Sequence, residues 1–486
     1  MTDFVAAIGL EVHIQLKTRT KLFCGCPNHF GDEPNSNVCP VCLGYPGALP
    51  VLNGAALDRA AQLALALGCR VRRRSVFARK NYFYPDLPKG YQISQYERPL
   101  AEGGSLPLWE HPRSVAITRL HVEEDAGKLL HENPGGGPLP GRSLVDFNRC
   151  GVPLVELVTE PVMTLPSEAQ DFLQTLHRAL LFLGVSDGNL EEGSLRCDAN
   201  VSLRPAGDEP LGTKVEVKNL NSFKHVARAI EYEIERQTAL LEEGAEILQE
   251  TRSFDAASGV THTLRGKEEA LDYRYFPDPD LPPPTLSDQR IAALEATLAE
   301  LPWLRRDRFV EDLGLSREEA SHLTADPGLA EYFEAVVGEV PARARAASNW
   351  VRTEVLRELH ARHVGLEGAL SPGLLAELIG LVEQGRLSNS AAKQVFGEIW
   401  ESRESPTKVM ERLGLVQVSD EAKLRDWVRQ VVGEQKAAVE QLRAGEDKVV
   451  GFLVGQVMRR SQGRADPGEA RRLIAEEVGR GAAVSS

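Results

Sequence analysis

No stretch of the 486 residues is apolar for long enough to cross a bilayer, so no membrane partner is expected. Positive charge is also short. Against 70 Asp and Glu stand 56 Lys and Arg, giving a formal charge of −14. That excludes a surface built for indiscriminate nucleic-acid binding, which needs a basic footprint, but leaves room for a local basic patch. There is no G-x-x-x-x-G-K-[ST], so any ATP is held without a P-loop. There is no Ser- and Gly-rich amidase segment and no evident Cys nucleophile for hydrolysing glutamine. Chemistry that needs ammonia must therefore receive it from elsewhere. No internal repeat is found. Met1-Thr-Asp-Phe4 runs almost at once into a strand pattern, and no targeting peptide is expected.

What is present is 42% apolar, enough for folded cores, on a chain long enough for two or three domains. The seven cysteines are odd in number, and no secretion signal precedes them. They read as thiols of a reducing, cytoplasmic compartment. Residues 1 to about 290 look like α+β. Val115–Val122, Leu144–Phe147, Pro153–Val158, Ser194–Arg204 and Thr213–Val217 read as strands, and the loops between them favour antiparallel pairing. Helices are expected at Leu57–Leu67, Ser167–Leu183 and Ser222–Glu243. Phe276–Pro284 is Pro-rich and reads as a linker. Pro134–Gly141 reads as a flexible connection between strands and not as a phosphate loop, because no helix pattern follows it.

From Ser287 the pattern is helical. Leu424, Trp427, Val428, Val431 and Val432 mark an amphipathic helix with Ser419 as N-cap, and Asp466-Pro467-Gly468-Glu469 opens another. A boundary near Gly414 divides this half, so the expected domains are 1–290, 291–412 and 413–486. From Glu411 onward, thirteen Lys and Arg face twelve Asp and Glu, the least acidic part of the chain.

Cys24-Gly-Cys26 and Cys39-Pro-Val-Cys42 are two close thiol pairs, the spacing of a closed tetrahedral Zn²⁺ site. A site with all four positions filled by protein holds a loop together and does not activate water. Cys69, Cys150 and Cys197 read as ordinary buried thiols. Just upstream, Leu10, Val12, Ile14 and Leu16 alternate with Glu11, His13, Gln15 and Lys17. A period of two is a half-buried strand, and it puts a carboxylate and an imidazole together on its open face.

Asp198 stands on the polar side of a second alternating run, and Glu156 interrupts an apolar one. His121-Val-Glu123-Glu124-Asp125 crowds three acids beside a loop, and a divalent cation relieves such repulsion. Each acid alone reads as solvated or salt-bridged, and sequence does not prove that they converge. Arg79–Gln92 interleaves cations with aromatics. That suits a nucleotide or a nucleic-acid 3′ end, or equally a packed loop. Lys218-Asn219-Leu-Asn221-Ser222 closes a strand and opens a helix whose free N–H groups suit a phosphate.

Ile8-Gly-Leu-Glu-Val-His13, Lys80-Asn-Tyr-Phe-Tyr-Pro-Asp86, Leu120–Lys128, Glu192–Asn200, Lys218–Phe223, Asp272–Pro277 and Gly451–Gln456 are long blocks spread over nearly the whole chain. Together they resemble the B subunit of the bacterial aspartyl/glutamyl-tRNA amidotransferase. The resemblance implies an N-terminal cradle of antiparallel sheets like that of glutamine synthetase, then an all-helical domain, then a small helical tail that grips tRNA. It implies a heterotrimer with an ammonia-supplying A subunit and a small C subunit. The substrates would be ATP and Glu misacylated on tRNA(Gln), or Asp on tRNA(Asn). Glu11, His13, Glu124, Glu156 and Asp198 match the family's catalytic Mg²⁺ set, with Glu123 and Asp125 inseparable from Glu124 by sequence. Lys80, Lys218 and Asn219 are expected to contact nucleotide phosphates. The family carries the cysteine quartet, Cys24, Cys26, Cys39 and Cys42, in some members only, which fits a structural ion. Two other readings stay open: a non-catalytic tRNA-binding scaffold, and a freestanding ligase acting on free glutamate.

Overall fold

The computed structural model describes residues 4–130, 137, 139–207, 210–266, 272–416, 421–461 and 463–479. Two compact units divide it, Met1–Leu304 and Arg305–Ser486. Among the described residues the first carries fifteen strands. They are β1 (Phe4–Gln15), β2 (Arg70–Val71), β3 (Ala78–Asn81), β4 (Tyr91–Ser94), β5 (Ala101–Glu102), β6 (Ser105–Pro107), β7 (Ser114–Glu124) and β8 (Lys128–Leu130). The others are β9 (Leu144–Asp146), β10 (Pro153–Thr159), β11 (Leu195–Pro205), β12 (Val215–Leu220), β13 (Glu250–Asp255), β14 (Val260–Gly266) and β15 (Phe276–Pro277). Its three long helices, α1 (Gly54–Ala66), α2 (Pro166–Leu183) and α3 (Phe223–Glu242), fall where the sequence patterns put them. Ser222 caps α3 by accepting the His225 amide at 3.1 Å.

The expected α+β cradle is present. Ten strands form one sheet in the order β14-β13-β12-β11-β1-β10-β7-β5-β2, with β6 beside β7. The β1 strand is central because its apolar half is continuous. Ala6, Ile8, Leu10, Val12, Ile14 and Leu16 are buried, packed with Phe172, Leu176 and Leu180 of α2 and Val226, Ala229 and Ile230 of α3. Each Val, Leu, Ile or Phe among them contributes about 1.5–3 kcal/mol on burial. Helices thus cover one face of the sheet and leave the polar half of β1 on the other. Pairing is antiparallel except between β12 and β13, which run parallel. The cause is α3, a twenty-residue crossover that returns the chain to the same end of the sheet.

A smaller sheet, β15-β3-β4, accompanies the large one. It corrects the reading of Phe276–Pro284 as a linker. β15 pairs with β3, Arg79 Nε donates to buried Asp278 at 2.9 Å, and the Pro284 carbonyl accepts the Ser75 amide at 3.2 Å. Asp and Pro here fix an extended edge, which composition alone does not distinguish from a free connection. Helix α4 (Asp288–Ala296) also belongs to the first unit and buries Leu294 in its core.

Among the described residues, the second unit is built of helices from Arg317–Leu323 to Pro467–Glu477. Its last four close on a core of their own that includes Leu424, Val428, Val431, Leu442, Leu453, Val457, Leu473 and Ile474. Asp466 caps the final helix through the Glu469 amide at 2.7 Å. The expected N-cap Ser419 and half of the Pro134–Gly141 connection lie outside the described residues. No helix among the described residues is long and apolar enough to cross a membrane.

Candidate active site

Strand register builds the site. His121 of β7, Glu156 of β10, His13 of β1 and Arg196 of β11 are successive partners across the large sheet. One row along, Arg119 faces Val158, and Glu11 lies between Val158 and Asp198. Inward Leu10, Val12 and Ile14 on β1, Val155 and Leu157 on β10, and Cys197 and Ala199 on β11 turn these polar neighbours onto the open face.

In the first row His13 Nε2 lies 3.4 Å from Glu156 and 3.6 Å from Glu123. His121 Nε2 lies 3.4 Å from Glu156 and 3.5 Å from Glu123. Two imidazoles thus share two carboxylates. Burial works against charge on both rings, yet Glu156 and Glu123 outweigh it. His121 is pushed up to about 9, and His13 is also raised. Burial opposes charge on Glu156 too, and His121 and then His13 hold its carboxyl well below the usual range. Ligand atoms of His13, Glu123 and Glu156 all lie within 4.8 Å of one another, a spacing that can hold a metal ion. Nitrogen and carboxylate oxygen donors suit a divalent cation.

The second row has its own network. Asn200 Nδ2 donates to Glu11 at 2.9 Å, and Lys218 Nζ bridges Asp198 at 2.5 Å and Glu216 at 2.9 Å. Burial opposes the Lys218 charge, but these two carboxylates hold its ammonium above the ordinary range. Four of the five expected metal-binding residues therefore share one face, as two adjoining groups: His13 with Glu156, and Glu11 with Asp198.

Glu124 is not brought to them. Its Oε1 accepts Lys89 Nζ and, at 2.9 Å, the Ile93 amide, and the residue is 1% exposed. Glu123 takes the place beside His13. The signal was present in the sequence: inward Leu120 and Val122 set the phase that turns His121 and Glu123 outward. His121 itself was missed because it stands next to three acids, to which the local charge pattern drew the assignment.

Lys80 of β3 feels the first row. Burial would lower its ammonium, but Glu123, with Tyr275 and Glu156, raises it, and its Nζ lies 4.8 Å from the Tyr273 ring centroid. Aromatics gather around it: Tyr82 meets Tyr273 edge-on, and Tyr275 stacks on Tyr96 at 4.3 Å. Phe83, in contrast, is 92% exposed, so the 79–92 segment is not simply a packed loop. Asn219 spends its side-chain amide on the Phe254 carbonyl at 3.1 Å, tying β12 to β13, and has φ 66°. Its neighbour Lys218 faces the site. A cleft of about 560 Å³ continues the open face past Gln15 and Arg196 toward Arg149, Asn148 and His29. Buried Asp125 orders its floor, accepting Gln15 at 2.8 Å and Arg196 at 2.8 Å.

The cysteines do converge. Sγ atoms of Cys24, Cys26, Cys39 and Cys42 all lie within 4.8 Å of one another, an arrangement that can hold a metal ion. The Cys24 hydrogen bond, above all, holds the Cys42 thiol down at about 4, with help from the Cys39 amide and Lys21 and against burial. Cys69 and Cys150, by contrast, are buried thiols that desolvation pushes up to about 12.

Residues 6–292 match the family model of the GatB/GatE catalytic domain, and residues 331–478 that of the GatB domain. The chain is 49% identical over 480 residues to the B subunit of the aspartyl/glutamyl-tRNA(Asn/Gln) amidotransferase of Geotalea daltonii, covering 98% of this chain and 99% of that one. It is equally 49% identical to the protein of that name from Nitratidesulfovibrio vulgaris, over 482 residues and 99% and 100% of the two chains. The same identity holds with that of Geobacter sulfurreducens, over 480 residues and 98% and 99% of the two chains.

Proposed function

Because this chain belongs to the family of B subunits of aspartyl/glutamyl-tRNA(Asn/Gln) amidotransferases, we propose that it is the kinase and transamidase half of a tRNA-dependent amidotransferase. The observation that carries this reading is the two-row constellation on the open face: His13, His121, Glu123 and Glu156 beside Glu11, Asp198 and Lys218. The side-chain carboxylate of Glu on tRNA(Gln), or of Asp on tRNA(Asn), takes the γ-phosphoryl group of ATP, and ADP leaves. Ammonia from a glutamine-hydrolysing A subunit attacks the acyl phosphate, inorganic phosphate departs, and the amide remains. A small C subunit completes the complex, in the cytoplasm.

A carboxylate is a poor electrophile until its oxygen becomes a leaving group. The transfer to it needs positioning and neutralised charge, not a covalent protein nucleophile. His13, Glu156 and Glu123, with Glu11 and Asp198 beside them, would hold Mg²⁺, which would supply part of that neutralisation. Glu123 thus serves where the sequence motif pointed to Glu124. Lys80, near Glu123 and Glu156, and Lys218, on Asp198, offer ammonium groups for phosphate oxygens. Lys218 is held until then by Asp198 and Glu216. Asn219 ties β12 to β13 beside Lys218, and Asn200 holds Glu11 by a hydrogen bond. Tyr96 and Tyr275 give a stacked aromatic platform for a nucleobase. The cysteine quartet holds Zn²⁺ as a structural ion, and residues 413–486 form a tail that reads the tRNA body.

The test is ATP turnover by the assembled complex with and without divalent metal. Turnover stimulated by misacylated tRNA but not by free glutamate supports the reading. Stimulation by free glutamate favours a freestanding ligase, and no metal-dependent turnover favours a scaffold.

A further inference from the structure

Lys21 is fully buried, at 0% exposure, and the chemistry on the open face does not use it. Its Nζ donates to the Asn37 carbonyl at 2.7 Å, to the Phe147 carbonyl at 3.3 Å and to Cys42 Sγ at 3.7 Å. Of these three partners only the sulfur can carry charge. A buried ammonium without an opposing charge is costly. Four thiolates around a divalent metal carry a net charge of about −2, and that charge needs compensation in a site that is half closed to water. The two problems solve each other at 3.7 Å.

The setting is built closely around this contact. Gly151 has φ 83°, and a Cβ there would lie 3.5 Å from Cys42 Cβ and 3.6 Å from Lys21 Cδ. Cys150 Sγ approaches the Cys42 carbonyl at 3.3 Å. Glu124, the nearby carboxylate, is already taken by Lys89. Lys21 also joins the thiol loop to the end of β9 and the residues after it, where Asn35 N donates to Asp146 at 3.0 Å and Asn37 N to Asn148 Oδ1 at 2.8 Å. His29, Asp146 and Asn148 line the cleft beside the open face.

We propose that Lys21 is the built-in counter-cation of the four-cysteine metal centre and a positioning residue that fastens the metal-bound loop to the wall of the cleft. It rests on the reading of the quartet as a Zn²⁺ site and not on the assigned reaction. The metal and the ammonium are then mutually dependent: each stabilises the other, and removing either loosens the same loop.

The experiment measures Zn²⁺ affinity of the full chain in its complex, by competition with a chromophoric chelator, for parent and Lys21→Met. Outer partners of metal ligands commonly change affinity by about 10–100-fold, and a loss of that size is expected here. The Co²⁺-substituted Lys21→Met protein should also show shifted sulfur-to-metal charge-transfer bands, because the hydrogen bond to Cys42 Sγ is gone. A folded Lys21→Met with parental affinity and parental bands overturns the proposal. Should that variant not fold, the parent decides. Amine acetylation read by mass spectrometry should find Lys21 protected with Zn²⁺ and reactive once the metal is chelated. Equal protection in both states, with the protein still folded, overturns the proposal. A parent that binds no Zn²⁺ sinks the underlying metal reading and leaves the reaction assignment untouched.

Discussion

Glu123 and Glu124 are consecutive in β7 and face opposite ways: Glu123 Oε1 lies 3.6 Å from His13 on the open face, and Glu124 is buried against Lys89 and the Ile93 amide. Adjacent carboxylates thus have separable jobs. Glu123→Gln should leave the fold intact and abolish metal-dependent amide formation. Glu124→Gln should leave the Lys89 ammonium buried without its counter-charge and cost about 3–5 kcal/mol of stability. Denaturant unfolding and transamidation, measured on both variants, give the answer. A stable, inactive Glu124→Gln beside an active Glu123→Gln would reverse the assignment.

His13→Ala should abolish transamidation while glutamine hydrolysis by the partner protein continues. His13 is part-exposed on the sheet's open face, so its loss leaves no core cavity. Near-normal amide formation in this variant would show that the first row does not carry the chemistry.

Zinc removal is a matter of stability. Cys39→Ala should lower the unfolding midpoint, by a few kcal/mol in free-energy terms, with residual activity tracking the folded fraction. A Cys39→Ala protein as stable as the parent yet inactive would place the quartet in the reaction.

Deletion of residues 413–486 should weaken tRNA binding and leave the cradle folded. For every phosphate that the truncated chain no longer neutralises, the slope of log affinity against log salt should fall by about one unit. Charged and uncharged cognate tRNA should lose affinity equally. Titrations across salt on full-length and truncated complexes measure this. An unchanged slope would put the tRNA-binding residues elsewhere.

Glu233 on α3 makes the cradle sensitive to acid. Burial would raise its carboxyl, but hydrogen bonds from Arg236 and Thr261 hold it below the ordinary value. Arg252 Nε lies 3.1 Å away as well. A depressed carboxyl stabilises the fold above its unfolded value, near about 4.3, and that stability is lost as pH falls through the folded value. The stability gap between parent and Glu233→Gln should therefore be full at neutral pH and shrink below about pH 4.5. Urea unfolding at several pH values reads it. A gap that stays constant down to about pH 3 would rule out charge as the cause.

The alternation of β1 made half of the site legible, since Leu10, Val12 and Ile14 leave Glu11 and His13 no other face. The β7 strand was harder. Val115 and Ile117 point inward, then Leu120 and Val122 do, so the phase slips by one. The pairing records the slip: Thr159 faces Ile117, but Val158 faces Arg119. A bulge of this kind moves every later side chain to the other face, and it turns Glu123, not Glu124, toward His13. Lys21 and Lys89 were silent in the sequence. Lysine is rarely buried, and the folds that bury them bring in partners the local pattern does not mark: Cys42 and Phe147 for Lys21, Glu124 for Lys89. The parallel β12 and β13 pair was hidden in the same way, because strand direction depends on how α3 packs.

The position of β1 also sets a schedule for synthesis. Leu10 N meets Thr159 Oγ1 across 149 residues, and Glu11 meets Asn200 across 189. At about 5–20 residues per second, the ribosome takes on the order of 10–40 s to deliver the second neighbour after the first strand has emerged. Until β10 emerges, this apolar strand has two bare edges, and until β11 follows, one of them stays bare. A nascent chain of this design is a natural client for a chaperone that shields extended apolar segments. Rare codons placed before residue 195 would lengthen its exposure, whereas the same codons after residue 205 would not.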